Sequence, residues 1–323
     1  MKNFALALTL ALGCFTAFPQ DDETNYEEAF TLIEIWLDAQ KDFEDIPGIS
    51  ASVVEDQKLL WSGGVGQANP DIQKPFTQTT LCSICSISKL FTSVAIMKLY
   101  DEGKIRLDDQ LSDLLPYYNL KQQFPESGPV TVRTLLTHSS GLPREAGYPY
   151  WTGPDFPFPS TEEIDAKLSE QESLYPASTY FQYSNLAMTL LGEIVSKVSG
   201  VPYETYVQQN ILGPLQLVQT RPEMPKDLYG SELAIGYSAL GRDGKREKVA
   251  LFQANGITPA AGFSSNVTDL GKFASWQFRL RGAKTTEILK PATLKYMQSV
   301  HCTNPNWRTT WGLGFRVYKG PNG

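Results

Sequence analysis

The chain has 323 residues, of which 41% are hydrophobic and 20% charged, the proportions of a globular enzyme with one large domain or two intimate ones. Its 35 acidic against 28 basic residues give a formal net charge of −7, with no Lys/Arg run anywhere. That balance excludes nucleic acid and anionic membrane surfaces as expected partners.

Met1 to about Ala17 has the charge–apolar–polar order of an export signal. Lys2 precedes the apolar run Phe4–Leu12, and polar, acidic sequence follows from Gln20. The run is too short to span a bilayer. We therefore expect a signal segment over residues 1–20, a secreted or periplasmic protein, and no transmembrane helix after signal removal. Ala11-Leu12-Gly13-Cys14 gives lipid attachment at Cys14 as the lesser alternative.

Thr24-Asn-Tyr-Glu27 has the form of a capping box and opens a helix near 25–44, with Phe30, Ile33, Trp36 and Leu37 on a face that would cover a sheet. Alternation over Ile49–Glu55, a turn at Asp56-Gln57 and a return over Lys58–Val65 read as a hairpin. A loop over 69–80 leads to a helix carrying Leu90, Val94, Met97 and Leu99 that stops at Gly103. From Leu107 to about Ser299 helices and loops dominate: a short helical piece at Val130–Thr137, an aromatic Pro/Gly loop from Glu145 to Ser160, a strong helix over Ser184–Ser199 and another over Asn266–Arg279. Trp311–Tyr318 reads as a strand. Strands at both ends with helices between predict an α/β (α+β) fold in a single domain over 21–323. One antiparallel sheet would draw on both ends (21–85 and about 300–323), with a mainly helical subdomain over about 86–299.

Past the signal only Cys82, Cys85 and Cys302 remain, an odd number that excludes a complete disulfide framework. Cys82 and Cys85 have metal-ligand spacing, but no second Cys pair or His cluster accompanies them. We read both as small buried residues flanking a helix start.

The chemistry concentrates in three places. Ser86 and Lys89 form the single Ser-x-x-Lys of the chain, at the predicted helix start. Spacing of three places hydroxyl and amine on one helix face, the geometry of a serine nucleophile activated by a lysine. A lysine held among apolar residues has its pKa lowered and accepts the serine proton, while the helix N-terminus favours an oxyanion. Tyr183 and Asn185 open the Ser184–Ser199 helix; a phenol near an ammonium relays a proton more easily, and an amide holds a substrate carbonyl and the lysine amine together. Tyr150, Trp151 and Phe156 lie on the aromatic loop, which either rims a pocket for a hydrophobic group or packs on itself. His138 is read as structural, and His301 sits in a loop-like stretch. Gly-x-Ser-x-Gly, His-x-His and His-Glu-x-x-His are all missing from the sequence, which argues against a Ser-His-Asp hydrolase and a zinc hydrolase.

On these motifs the chain resembles the serine β-lactamase and penicillin-binding-protein-like superfamily, in particular class C β-lactamase-related serine hydrolases and esterases. Cys85-Ser86-Ile-Ser-Lys89 is similar to the first motif of that group, Tyr183-Ser-Asn185 to the second, and Leu135–Leu142 and Pro259–Leu270 to two further landmarks. The resemblance implies a β-lactamase/DD-peptidase-like fold, an antiparallel sheet flanked by helices plus an inserted helical domain. It also implies catalytic Ser86, Lys89 and Tyr183, a substrate-binding Asn185, a small-molecule or peptide substrate, and neither metal nor cofactor. A non-hydrolytic penicillin-binding sensor or an inactive scaffold of the same fold is the alternative. The group's third motif, Lys-Thr-Gly or His-x-Gly, does not follow Trp311–Tyr318, which implies that the chain stops before the strands that would complete the site.

Overall fold

A computed structural model describes residues 25–153, 155–318 and 320. The expected signal segment, Cys14 and Thr24 of the expected capping box lie outside the described residues. Helix α1 runs over Glu27–Phe43 with Tyr26 at its N-cap, two residues after the box position, and the Asn25 side chain accepts the Glu27 N–H at 2.9 Å.

Strands β1 (Gly48–Glu55) and β2 (Lys58–Asn69) form the expected hairpin, and a short β3 (Lys74–Pro75) pairs with β2. The register shifts between Val53 and Val54, pairing Val53 with Trp61 but Val54 with Leu59. One extra residue flips the alternation, so Trp61 and Leu59 point to opposite faces although they are two apart. Trp61 faces α1, stacking on Phe30 and donating its indole N–H to Glu34 at 3.2 Å. Leu59, Ser52 and Val54 instead face Gly271 of the Val267–Gly282 helix. One hairpin thus carries a helix on each face, and the bulge places Leu59 rather than Leu60 toward the Val267–Gly282 helix.

The helix after the hairpin, α2 (Ser88–Asp101), is the centre of the molecule. Ten of its fourteen residues are buried, Ser88, Lys89, Thr92 and Ser93 among them, so it has almost no solvent face. The Asn185–Ser199 helix and the short Thr258–Ala261 helix pack against it, within one contiguous core that also takes in the Val267–Gly282 helix.

Three expectations change here. Trp311–Tyr318 is not one strand: Thr310–Trp311 and Arg316–Val317 are separate strands joined through Gly312 and Gly314. A Cβ on Gly312 would lie 2.1 Å from the Met297 carbonyl, and Gly314 has φ +82°, so glycine is required at both and the chain turns. These strands pair with Cys302–Thr303 in a sheet of their own, and among the described residues the hairpin does not share a sheet with them. Cys85, expected to be buried, is exposed, while Cys82 is half-buried; both are free thiols.

Among the described residues no helix is long and apolar enough to cross a membrane.

Candidate active site

Ser86 is held by the junction of a strand and a helix. Cys82–Ser83 pairs with Ser264–Ser265, a tight turn covers Cys85–Ile87, and α2 begins at Ser88. Cys85 takes φ +41°, a strained conformation for a non-glycine residue that costs on the order of 1–3 kcal/mol. The Ser88 hydroxyl fastens this turn: it donates to the Cys85 carbonyl at 2.5 Å and accepts the Phe263 N–H at 3.1 Å. Ser86 is left exposed at the end of α2, where first-turn N–H groups have no helical acceptor.

The structure brings three of the sequence-selected residues together. Lys89 Nζ lies 3.1 Å from Ser86 Oγ and donates to the Ala260 carbonyl at 2.7 Å. The Tyr183 hydroxyl donates to Ser86 Oγ at 2.8 Å, and its ring lies 4.8 Å from Lys89 Nζ. Ala260 belongs to the Thr258–Ala261 helix, which presses so closely on the Asn185–Ser199 helix that a Cβ on Gly192 would come 2.1 Å from Pro259. Glycine at 192 therefore sets the depth of the carbonyl that holds Lys89.

Lys89 is only 5% exposed. Burial lowers its pKa to about 7, against the Glu145 carboxylate, which raises it; Arg144 lowers it further. At neutral pH a large fraction of this amine is therefore neutral and able to accept a proton. Tyr183 goes the other way from the sequence expectation. Burial raises its pKa, more than the Ser86 hydrogen bond and Arg144 lower it. The residue is a phenol that donates to Ser86, not a ready phenolate.

Asn185 sits apart from this expectation too. Its amide nitrogen donates to both oxygens of Glu145, at 2.9 and 3.0 Å, and its Oδ1 is buried without a hydrogen-bond partner among the described residues. No hydrogen bond joins it to Lys89 in the described structure. Of the two readings of the aromatic loop, Tyr150 does not take the pocket rim: it is wholly buried, its hydroxyl donates to Glu145, and it backs the site. Trp151 is exposed, and its ring lies 5.0 Å from Phe158, edge to face. Phe156 is half-buried at 6.0 Å from Phe252. The aromatic loop packs largely on itself.

The sequence reading missed Arg144 and Glu145. Arg144 Nε donates to Glu145 at 3.0 Å, and its guanidinium lies 5.1 Å from the Tyr183 ring. The one available signal was an adjacent charged pair just after the Leu135–Leu142 landmark. His138 has the structural role expected: it is buried, its Nδ1 accepts the Ser184 N–H at 3.2 Å, and burial and nearby Lys89 push its pKa down to about 3. Among the described residues no group of three His, Cys, Asp or Glu side chains is placed to hold a metal. A cavity of about 740 Å³ lined by Ser160, Glu204, Gln208 and Gln253 includes none of these residues; at the candidate site Ser86 is exposed at the start of α2 while Lys89 and Asn185 are buried behind it.

A model of the Beta-lactamase family matches residues 36–323. Beta-lactamase-like protein 2 of Dictyostelium discoideum is 32% identical over 204 residues, 62% of this chain and 37% of that protein. An Escherichia coli K12 protein whose name includes D-alanyl-D-alanine carboxypeptidase is 25% identical, over 98% of this chain and 81% of its own length. Among solved structures, the octameric penicillin-binding protein homologue from Pyrococcus abyssi superposes with a TM-score of 0.76 at 29% identity, over 90% of this chain and 65% of that one. The chain spans about half or less of the first curated relatives, 37%, 48% and 39% of their lengths. With these likenesses, the expected β-lactamase-like mixed α/β fold is borne out.

Proposed function

We infer the function from one premise: this chain belongs to the Beta-lactamase family. It is a serine hydrolase that acts through an acyl-enzyme. Ser86 Oγ attacks a substrate carbonyl carbon as its proton passes to neutral Lys89. The backbone N–H of Ser86 supplies one donor to the oxyanion. As the bond to the leaving group breaks, Tyr183 gives it a proton and recovers one from Lys89. Water then attacks the acyl carbon, losing its proton to the same pair, which returns it to Ser86 Oγ as the bond from the acyl carbon to Oγ breaks. The observation that carries this reading is the convergence of two proton-handling groups, Lys89 Nζ at 3.1 Å and the Tyr183 hydroxyl at 2.8 Å, on one exposed serine oxygen.

The substrate is an amide or ester: a β-lactam, a small ester or a D-amino-acid peptide. The carboxypeptidase name of the Escherichia coli relative supports the peptide. The order of charge and hydropathy over residues 1–20 supports export. A chromogenic cephalosporin, a short nitrophenyl ester and a D-Ala-D-Ala peptide separate the three substrates. Ser86→Ala should abolish whichever turnover is found, and wild-type-like turnover by that variant overturns the assignment. A stable adduct with no product release identifies the penicillin-binding sensor instead.

A further inference from the structure

Glu145 is the most heavily bonded carboxylate near Ser86, and the mechanism above does not use it. Both of its oxygens accept from the Asn185 amide nitrogen. It accepts from the Tyr150 hydroxyl, which is wholly buried, and from Arg144 Nε at 3.0 Å. The backbone reinforces the pair: the Asn185 N–H donates to the Arg144 carbonyl at 2.7 Å. Residues 144 and 145 are thus clipped to the start of the Asn185–Ser199 helix by main chain and side chain alike. Asn185 is 2% exposed, so its amide has no solvent to fall back on. With the amide nitrogen on Glu145, the oxygen is the group left free.

We propose that Glu145 is a positioning residue of the Ser86 centre, one that fixes the orientation of the Asn185 amide and supplies the negative charge that balances Lys89. The charged and titratable groups around Lys89 are few. Glu145 favours its ammonium form, Arg144 opposes it, the Cys85 thiol has a smaller effect, and the Tyr183 phenol and the buried, neutral His138 complete the set. Burial disfavours the Lys89 ammonium and the Glu145 carboxylate works against burial, so that proton acceptance and return are both accessible. The buried Tyr150 hydroxyl, in turn, keeps the carboxylate on Asn185.

The kinetic half of this inference rests on the serine hydrolase reading; the titration half does not. The test is NMR titration of Lys89 in protein labelled with ¹³C at lysine Cε, the signal assigned by its loss in Lys89→Arg. In Glu145→Gln, which keeps size but removes charge, Lys89 should titrate at lower pH than in the wild type. The acid limb of kcat/KM should move to lower pH with it, and kcat should fall at least about tenfold as the Asn185 amide loosens. Glu145→Asp keeps the charge but withdraws it from Asn185, so Lys89 should titrate near its wild-type position while kcat falls. A residue that merely supports the fold would lower the melting temperature without moving the Lys89 titration, and that result in Glu145→Gln overturns the proposal. If Glu145→Gln does not fold, a Glu145→Asp protein with wild-type kcat overturns it. A wild-type chain that neither turns over nor is labelled at Ser86 counts against the hydrolase reading, while the Lys89 titration still decides the role of Glu145.

Discussion

Lys89→Met offers a test of the site that needs no substrate. A lysine whose pKa is about 7 in the folded chain and 10.5 when unfolded is protonated more readily in the unfolded state. It therefore costs no stability above 10.5, an increasing amount as pH falls through that window, and the full amount below about 7. The gap corresponds to roughly 5 kcal/mol. Methionine has similar length and no charge, so it removes this cost, but it also removes the hydrogen bonds to Ser86 and to the Ala260 carbonyl. Leaving that carbonyl unpaired costs about 1–3 kcal/mol. Near pH 6 the variant should then be more stable than the wild type by about 2–4 kcal/mol, although its turnover falls. The advantage should shrink by about 3 kcal/mol by pH 9, where most of the wild-type penalty has lifted. Urea unfolding followed by tryptophan fluorescence measures both points. Equal differences at the two pH values would refute this reasoning, because they would mean that burial does not lower the Lys89 pKa.

The remaining expectations concern the rest of the centre. Tyr183→Phe removes the hydroxyl 2.8 Å from Ser86 Oγ and should lower kcat by about 10²–10⁴ with little change in melting temperature, as steady-state kinetics and calorimetry would show. Gly192→Ala places a methyl 2.1 Å from Pro259; overpacking should cost about 1–3 kcal/mol and, by displacing Ala260, lower kcat/KM as well. His138 is kept neutral in the fold with a pKa of about 3, against 6.5 in the unfolded chain, so the wild type should lose stability as pH falls from 6.5 toward 3. His138→Phe should flatten that acid slope in urea unfolding at pH 7 and pH 4, and an unchanged slope would show that His138 is not its source.

Where local pattern and burial agreed, the sequence was a good guide. The Ser86-to-Lys89 spacing, the apolar run behind it and the capped helix at Asn185 are all short-range features, and each reads directly as geometry. The hairpin was legible for the same reason. What escaped was long-range. Nothing local says that Glu145 reaches Asn185 forty positions on, or that Tyr150 turns inward to meet it while its neighbour Trp151 turns out. Nor does alternation over Trp311–Tyr318 reveal that Gly312 meets the Met297 carbonyl and forces a turn. The Tyr183 reading failed on a magnitude: proximity to Lys89 suggested an acidic phenol, but burial outweighs the nearby charges. Cys85 failed because a left-handed turn residue is invisible in composition.

Every step proposed for this centre depends on Ser86 being the nucleophile. Intact mass and peptide mapping after exposure of this chain to a fluorophosphonate near pH 8 decide that point. One adduct is expected, on Ser86, lost in Ser86→Ala and formed more slowly in Lys89→Met. An adduct on another residue, or one that persists in Ser86→Ala, would contradict it.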